Sequence, residues 1–136
     1  MFNAIDIATS GLVAQRVRSN TIAMNLASAE VVETPEGGPY QHQSVIFAVG
    51  KGPQDRSERG VHVSEIRKEP VFRYEYDPQH PYAINEGPRA GYVKLPDINP
   101  IMEMVDLMEA ARAYEANITA IEVSKAMLGS SLRLLA

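Results

Sequence analysis

Residues 99–136 read NPIMEMVDLMEAARAYEANITAIEVSKAMLGSSLRLLA. Met104, Leu107, Ala111, Tyr114, Ile118, Ile121, Lys125, Leu128, Leu132 and Leu135 follow one another in steps that alternate strictly between three and four. Nine of the ten are apolar or aromatic, and only Lys125 breaks the set. That alternation marks a helix lying along other helices, not a strand. Asn99 supplies an N-cap and Pro100 suits the first helical position, so the start is sharp. At 1.5 Å per residue such a helix runs to roughly 50 Å, longer than a small domain is wide. The seam therefore calls for a partner.

Residues 3 to about 30 are the other long helical candidate. Asn3 and Asp6 have capping-box spacing, with Phe2 and Ile7 placed as a hydrophobic staple. Ala4, Ala8, Gly11, Ala14, Ala23, Ala27 and Ala29 would let a second helix approach closely. Gly11 costs about 1 kcal/mol relative to Ala within a helix, so this helix is expected to depend on its partners. Pro35 and the Gly37-Gly38-Pro39 run end the regular structure. Between the helices the pattern shortens to β-type runs, Ser44–Val49, Val61–Ile66, Val71–Tyr76 and Tyr92–Leu95. In the second of these the inward face is not decided, because Val61 and Val63 are followed by Glu65 while Ile66 lies on the opposite phase. Gly50 to Gly60 and residues 77–91 read as loops. The expected class is α+β, with long N- and C-terminal helices forming a coiled-coil-like pair and a small β-rich unit inserted between them. The expected divisions are 1–34, 35–98 and 99–136.

Composition gives little chemistry. The 136 residues include no cysteine and carry a net charge of −4. Thiol chemistry is excluded, and no basic stripe favours nucleic acid. No run reaches the roughly 20 apolar residues of a membrane span, and the N-terminus lacks the pattern of a cleaved signal. His42, His62 and His80 have no metal-helper spacing, and Gly50-Lys51-Gly52 lacks the length of a phosphate loop. Tyr74 to Asp77 form an acidic–aromatic patch, read as an ordinary solvated strand, with the seat of a cation or of a partner's arginine as the alternative. Glu103, Asp106 and Glu109 read as a dipole-matched, solvated or inter-subunit stripe. Glu122 and Lys125 are spaced to pair on the surface. No enzymatic constellation, cofactor or metal site emerges.

The run Met104 to Asn117, with Arg112-Ala113-Tyr114-Glu115-Ala116-Asn117 at its centre and Lys125, Met127 and Leu132 following, resembles the C-terminal signature of the bacterial flagellar basal-body rod and hook proteins. Asn25-Leu26-Ala27-Ser28-Ala29 is similar to the N-terminal element of that family, with Ser28 where an Asn is usual. Thr34-Pro35, Gly38-Pro39-Tyr40, Gly60-Val61-His62-Val63, Tyr76-Asp77-Pro78, His80-Pro81 and Gly91 to Pro96 extend the likeness to nearly the whole chain. The short length resembles a proximal rod member, with Glu86 to Arg89 as a small insertion.

The resemblance implies a structural, non-enzymatic subunit exported without a cleaved signal through the flagellar export apparatus. Its terminal helices would associate with copies of itself, other rod proteins and basal-body ring or export components. Together they would form a periplasmic tube that transmits torque and surrounds the export channel. Asn25, Leu26, Ala27, Ala29, Met104, Leu107, Ala111, Arg112, Tyr114, Glu115, Asn117, Ile118, Ile121, Lys125, Leu128 and Leu132 are the expected subunit-interface residues. Arg112, Glu115 and Asn117 would set register, and Tyr114 and Ile118 would supply burial. The competing readings are another rod- or hook-type subunit and a cytoplasmic helical adaptor or export chaperone.

Overall fold

The computed structural model describes residues 2–50 and 59–135. The elements in chain order are α1 (Phe2–Ala27), β1 (His42–Val49), β2 (Val61–Glu69), β3 (Phe72–Tyr76), β4 (Tyr92–Pro96) and α2 (Pro100–Leu135). The α+β arrangement expected from the sequence is present, with the β elements inserted between two long helices.

The start of α2 is fixed by local chemistry. Asn99 Oδ1 accepts the Ile101 N–H at 3.0 Å, and the Asn99 carbonyl accepts the Glu103 N–H at 3.1 Å. The capping expectation for the first helix is corrected: α1 already includes Phe2, so Asn3 lies within its first turn instead of capping it. The proposed staple rests on the Phe2 side chain, outside those described, and Gly50-Lys51-Gly52 also falls largely outside the described residues.

The two helices are antiparallel. Asn25 meets Glu103, Arg18 lies 4.0 Å from Glu109, and Gly11 abuts Asn117, so contacts advance along α2 as they retreat along α1. Ala8, Ala14 and Ile22 are buried on the α1 side and Ala110 on the α2 side. A Cβ built on Gly11 would stand 2.9 Å from the Asn117 carboxamide, so glycine is what admits this close crossing.

The β part forms two separate two-stranded antiparallel ribbons, β1–β2 and β3–β4. The β1–β2 register slips between Ile46 and Phe47, which leaves Ser64 as the extra residue of a bulge. A one-residue slip exchanges the faces, so Ile66, opposite Val45, shares the face of Val63 and Val61, opposite Phe47 and Val49, although it is out of phase with them in the sequence. The ribbon is tied to α1 at Ser10, whose hydroxyl accepts the Val61 N–H at 3.0 Å and donates to the Ile7 carbonyl at 2.6 Å. Gly60, at φ +91°, lies at the same contact, where a Cβ would come within 2.7 Å of Ser10 Oγ. In the β3–β4 ribbon Val93 and Leu95 are buried, with Ile98 following in the link to α2.

Candidate assembly interface

Two features of the helix pair bear on function, a polar junction at one end and an outward face along α2. The junction centres on Asn25, which is 1% exposed. Its Nδ2 donates to the Gln43 carbonyl at 2.8 Å and to Glu103 Oε2 at 3.0 Å. Its Oδ1 accepts the Gln43 N–H at 3.0 Å and the Tyr40 hydroxyl at 3.1 Å. The carboxamide thus treats Gln43 as a neighbouring strand would, satisfying both its backbone groups. Two donor and two acceptor positions are all that an Asn side chain has, and all four are in use.

Glu103 is the second pillar. Its Oε1 lies 2.9 Å from His42 Nε2, while His42 Nδ1 lies 3.4 Å from Glu69 Oε2. The Ser44 hydroxyl donates to Glu69 Oε1 at 2.8 Å; that bond, assisted by His42, holds the Glu69 carboxyl below the usual carboxylate range. Burial, with the nearby Glu103 charge, pushes the Tyr40 phenol above its ordinary value. One connected network therefore joins α1, the connector after it, both strands of the first ribbon and α2. With Asn25 and Glu103 buried and hydrogen-bonded at its centre, it fixes how the ribbon sits on the helix pair.

This corrects the reading of Glu103 as part of a solvated stripe. Glu103 is buried inside the subunit, Asp106 is half-buried and only Glu109 is well exposed. The helix phase set by Asn99 turns Glu103 toward α1, and Asn25 and His42 supply the partners that make its burial tolerable. Sequence reasoning singled out Asn25 but missed its coupling to Glu103, 78 positions away, and Glu103's to His42. No local signal marks such pairs. The Tyr74–Asp77 patch, read first as an ordinary solvated strand, is exposed and also seats a cation, supplied by the same chain and not by a partner: Arg89 lies 4.0 Å from the Tyr74 ring centre. Glu122 and Lys125 form no ion pair among the described residues.

The sixteen expected interface residues divide by face. Asn25 is buried, and Leu26, Ala29, Leu107, Asn117, Ile121 and Leu128 are half-buried. Ala27, Met104, Ala111, Arg112, Tyr114, Glu115, Ile118, Lys125 and Leu132 are exposed. The side of α2 turned toward α1 runs instead through Glu103, Ala110, Ala113, Asn117, Ile121 and Ser124. A strict 3–4 seam drifts by about 20° per heptad around a straight helix, so it meets this side only in part. Exposed apolar residues are left along most of α2, among them Met104, Val105, Met108, Ile118, Val123 and Met127. Among the described residues no group of three acidic or histidine side chains has metal-binding geometry, and no helix is long and apolar enough to cross a membrane.

A small body whose long helix keeps an apolar face outward has the make-up of an assembly subunit. Residues 89–134 match the family model described as flagellar basal body rod FlgEFG protein C-terminal. The chain is 42% identical to the flagellar basal-body rod protein FlgC of Borreliella burgdorferi, with 99% of this chain and 97% of that one covered. It is 44% identical to FlgC of Aquifex aeolicus, covering 92% and 90%, and 38% identical to FlgC of Salmonella typhimurium, covering 98% and 97%. The chain belongs to the FlgC family of flagellar basal-body rod proteins.

Proposed function

We propose that this chain is a structural subunit of the proximal rod, and that the outward face of α2 packs against helices of neighbouring subunits. The observation that carries the reading is the exposed apolar row on a helix already paired once. Met104, Ala111, Tyr114, Ile118 and Leu132 face away from the closest helix contact or flank it. The surface this row leaves open, from 36% of Tyr114 to 66% of Leu132, gains by burial against a neighbour, at about 25 cal/mol per Å². Repeated, a heterologous contact generates a helical tube. Arg112 and Glu115 stand exposed beside this row and set the register of the contact. Asn117 is engaged against α1 within the subunit and contributes indirectly, by fixing the helix crossing. The tube surrounds the export channel, transmits torque across the periplasm and contains copies of this chain together with other rod proteins. The chain reaches it through the flagellar export apparatus, without a cleaved signal and without acting as an enzyme.

The test is Ile118→Asp in cells that depend on this chain for swimming, with Arg112→Ala beside it. The purified Ile118→Asp monomer is expected to fold with a lowered denaturation midpoint, because Ile118 is only 37% exposed, while Arg112→Ala, at an exposed position, is expected to leave the midpoint unchanged. Rod assembly and motility are expected to fail. Wild-type rods and motility from a folded Ile118→Asp protein would overturn the reading.

A further inference from the structure

The β3–β4 ribbon has two unlike faces. On the inner side Val93 and Leu95 are buried, and with Arg73 and Glu75 they border a cleft completed by Glu30 and Val32 of the connector after α1. The other side carries Phe72, Tyr74 and Tyr76 of β3 opposite Pro96, Lys94 and Tyr92 of β4. Tyr76 and Tyr92 meet edge to face, with ring centres 5.2 Å apart. Arg89 sits 4.0 Å from the Tyr74 ring centre, and the Lys94 ammonium sits 4.1 Å from that of Phe72. Tyr74, Tyr76 and Tyr92 remain exposed. Among the described residues neither cation is paired with a carboxylate.

A cation resting on an aromatic ring is held in place without losing its charge. It also occupies the ring face on which a sugar would stack. Arg89 and Lys94 therefore make this surface receptive to carboxylates, with tyrosines between them for an apolar contact. The same chain carries a matching segment. The connector Glu30-Val31-Val32-Glu33-Thr34-Pro35-Glu36 exposes Glu30, Glu33 and Pro35, and among the described residues only Glu36 of its acids has a cationic partner, Lys68 at 2.9 Å. Within one molecule the connector borders the inner side of the ribbon, so the ribbon itself separates the two surfaces. A second copy is free of that obstacle.

We propose that the aromatic–cationic face of the β3–β4 ribbon docks the acidic connector Glu30–Glu36 of a second copy of this chain. The contact is heterologous, one surface on each molecule, and so extends from copy to copy. It rests on the reading of this chain as a self-assembling subunit but uses a surface away from the outward face of α2. Arg89 acquires a purpose here: the Glu86–Arg89 loop delivers a cation to the ribbon.

The experiment is a titration of the labelled full chain with a synthetic peptide of residues 28–41, followed by NMR. Saturable shifts are expected at the Tyr74, Tyr76 and Tyr92 rings and at the Arg89 Nε–H. Binding should weaken at least tenfold when the peptide carries Glu30→Gln and Glu33→Gln, or when the chain carries Arg89→Gln and Lys94→Gln. It should also weaken as salt is raised. No saturable shift at millimolar peptide, equal shifts with the uncharged peptide, or shifts only with a neutral oligosaccharide such as cellopentaose would each overturn the proposal. The motility result for Ile118→Asp is independent of these readings, so failure of the ribbon contact and failure of the helix contact are told apart.

Discussion

Asn25 shows what a single buried side chain can organise. Replacing it with Ala would strand the Gln43 N–H and carbonyl, the Tyr40 hydroxyl and one oxygen of Glu103, which is itself 7% exposed. An unsatisfied buried polar group costs about 1–3 kcal/mol, and more when charged. Asn25→Ala is therefore expected to lower unfolding free energy by about 2–4 kcal/mol in urea denaturation. Asn25→Asp should be at least as damaging, since it sets a second carboxylate 3.0 Å from Glu103 where a donor is required. Tyr40 offers a gentler probe. Its native phenol keeps its proton to higher pH than the ordinary value of 10.0. The unfolded chain thus loses that proton first as pH rises. The contribution to stability is full below about pH 10 and fades as pH climbs through the native titration. Absorbance at 295 nm should show one tyrosine titrating late, and Tyr40→Phe should remove that late step at a stability cost of about 0.5–1.5 kcal/mol.

At the scale of elements, what was legible was what the chain states locally. Asn99-Pro100 announces the start of α2 because capping involves groups two to four residues apart, and the strands fall within two or three residues of their β-type runs. The faces were less legible. The phase of β2 depends on a bulge at Ser64 that nothing in Val61–Ile66 alone encodes. The inward side of α2 depends on where α1 lies, and a mixed row containing Glu103, Asn117 and Ser124 does not read as a seam. The closest part of the crossing tests this directly. Gly11→Ala should gain helix propensity, about 1 kcal/mol, but its Cβ meets the Asn117 carboxamide at 2.9 Å. Asn117 is held by its own bond to the Ala113 carbonyl at 2.8 Å. Gly11→Ala alone is expected to be neutral or destabilising. Gly11→Ala combined with Asn117→Ala should be more stable than the single changes add up to, with a coupling of about 1 kcal/mol in a double-mutant cycle. Strict additivity would mean that the helices do not meet at this point.

Across the whole molecule, the helices differ in length in a way that shapes how stability is distributed. α2 has 36 residues against 26 in α1, and the polar junction ties down the end where α2 begins. With Gly11 opposite Asn117, an antiparallel α1 runs out near residue 126 of α2. The last residues, from Met127 to Leu135, project roughly 14 Å further. Their exposure agrees, with Leu132 at 66% and Leu134 at 89%, against 0% for Ala110 near the junction. Amide exchange on the isolated chain should therefore be slowest around Glu103 to Ala110 and quicken toward Leu135, since ends without tertiary contacts open most easily. Removal of residues 132–136 should shift the unfolding free energy of the isolated chain by no more than about 0.5 kcal/mol, the usual effect of changing exposed positions. In cells the same truncation should impair rod assembly, because three exposed leucines leave with it and burial against neighbours is the role proposed for this face. A large loss of stability in the isolated truncated chain would show that the overhang already packs within the subunit. Normal assembly with unchanged stability would show that neighbours do not use it.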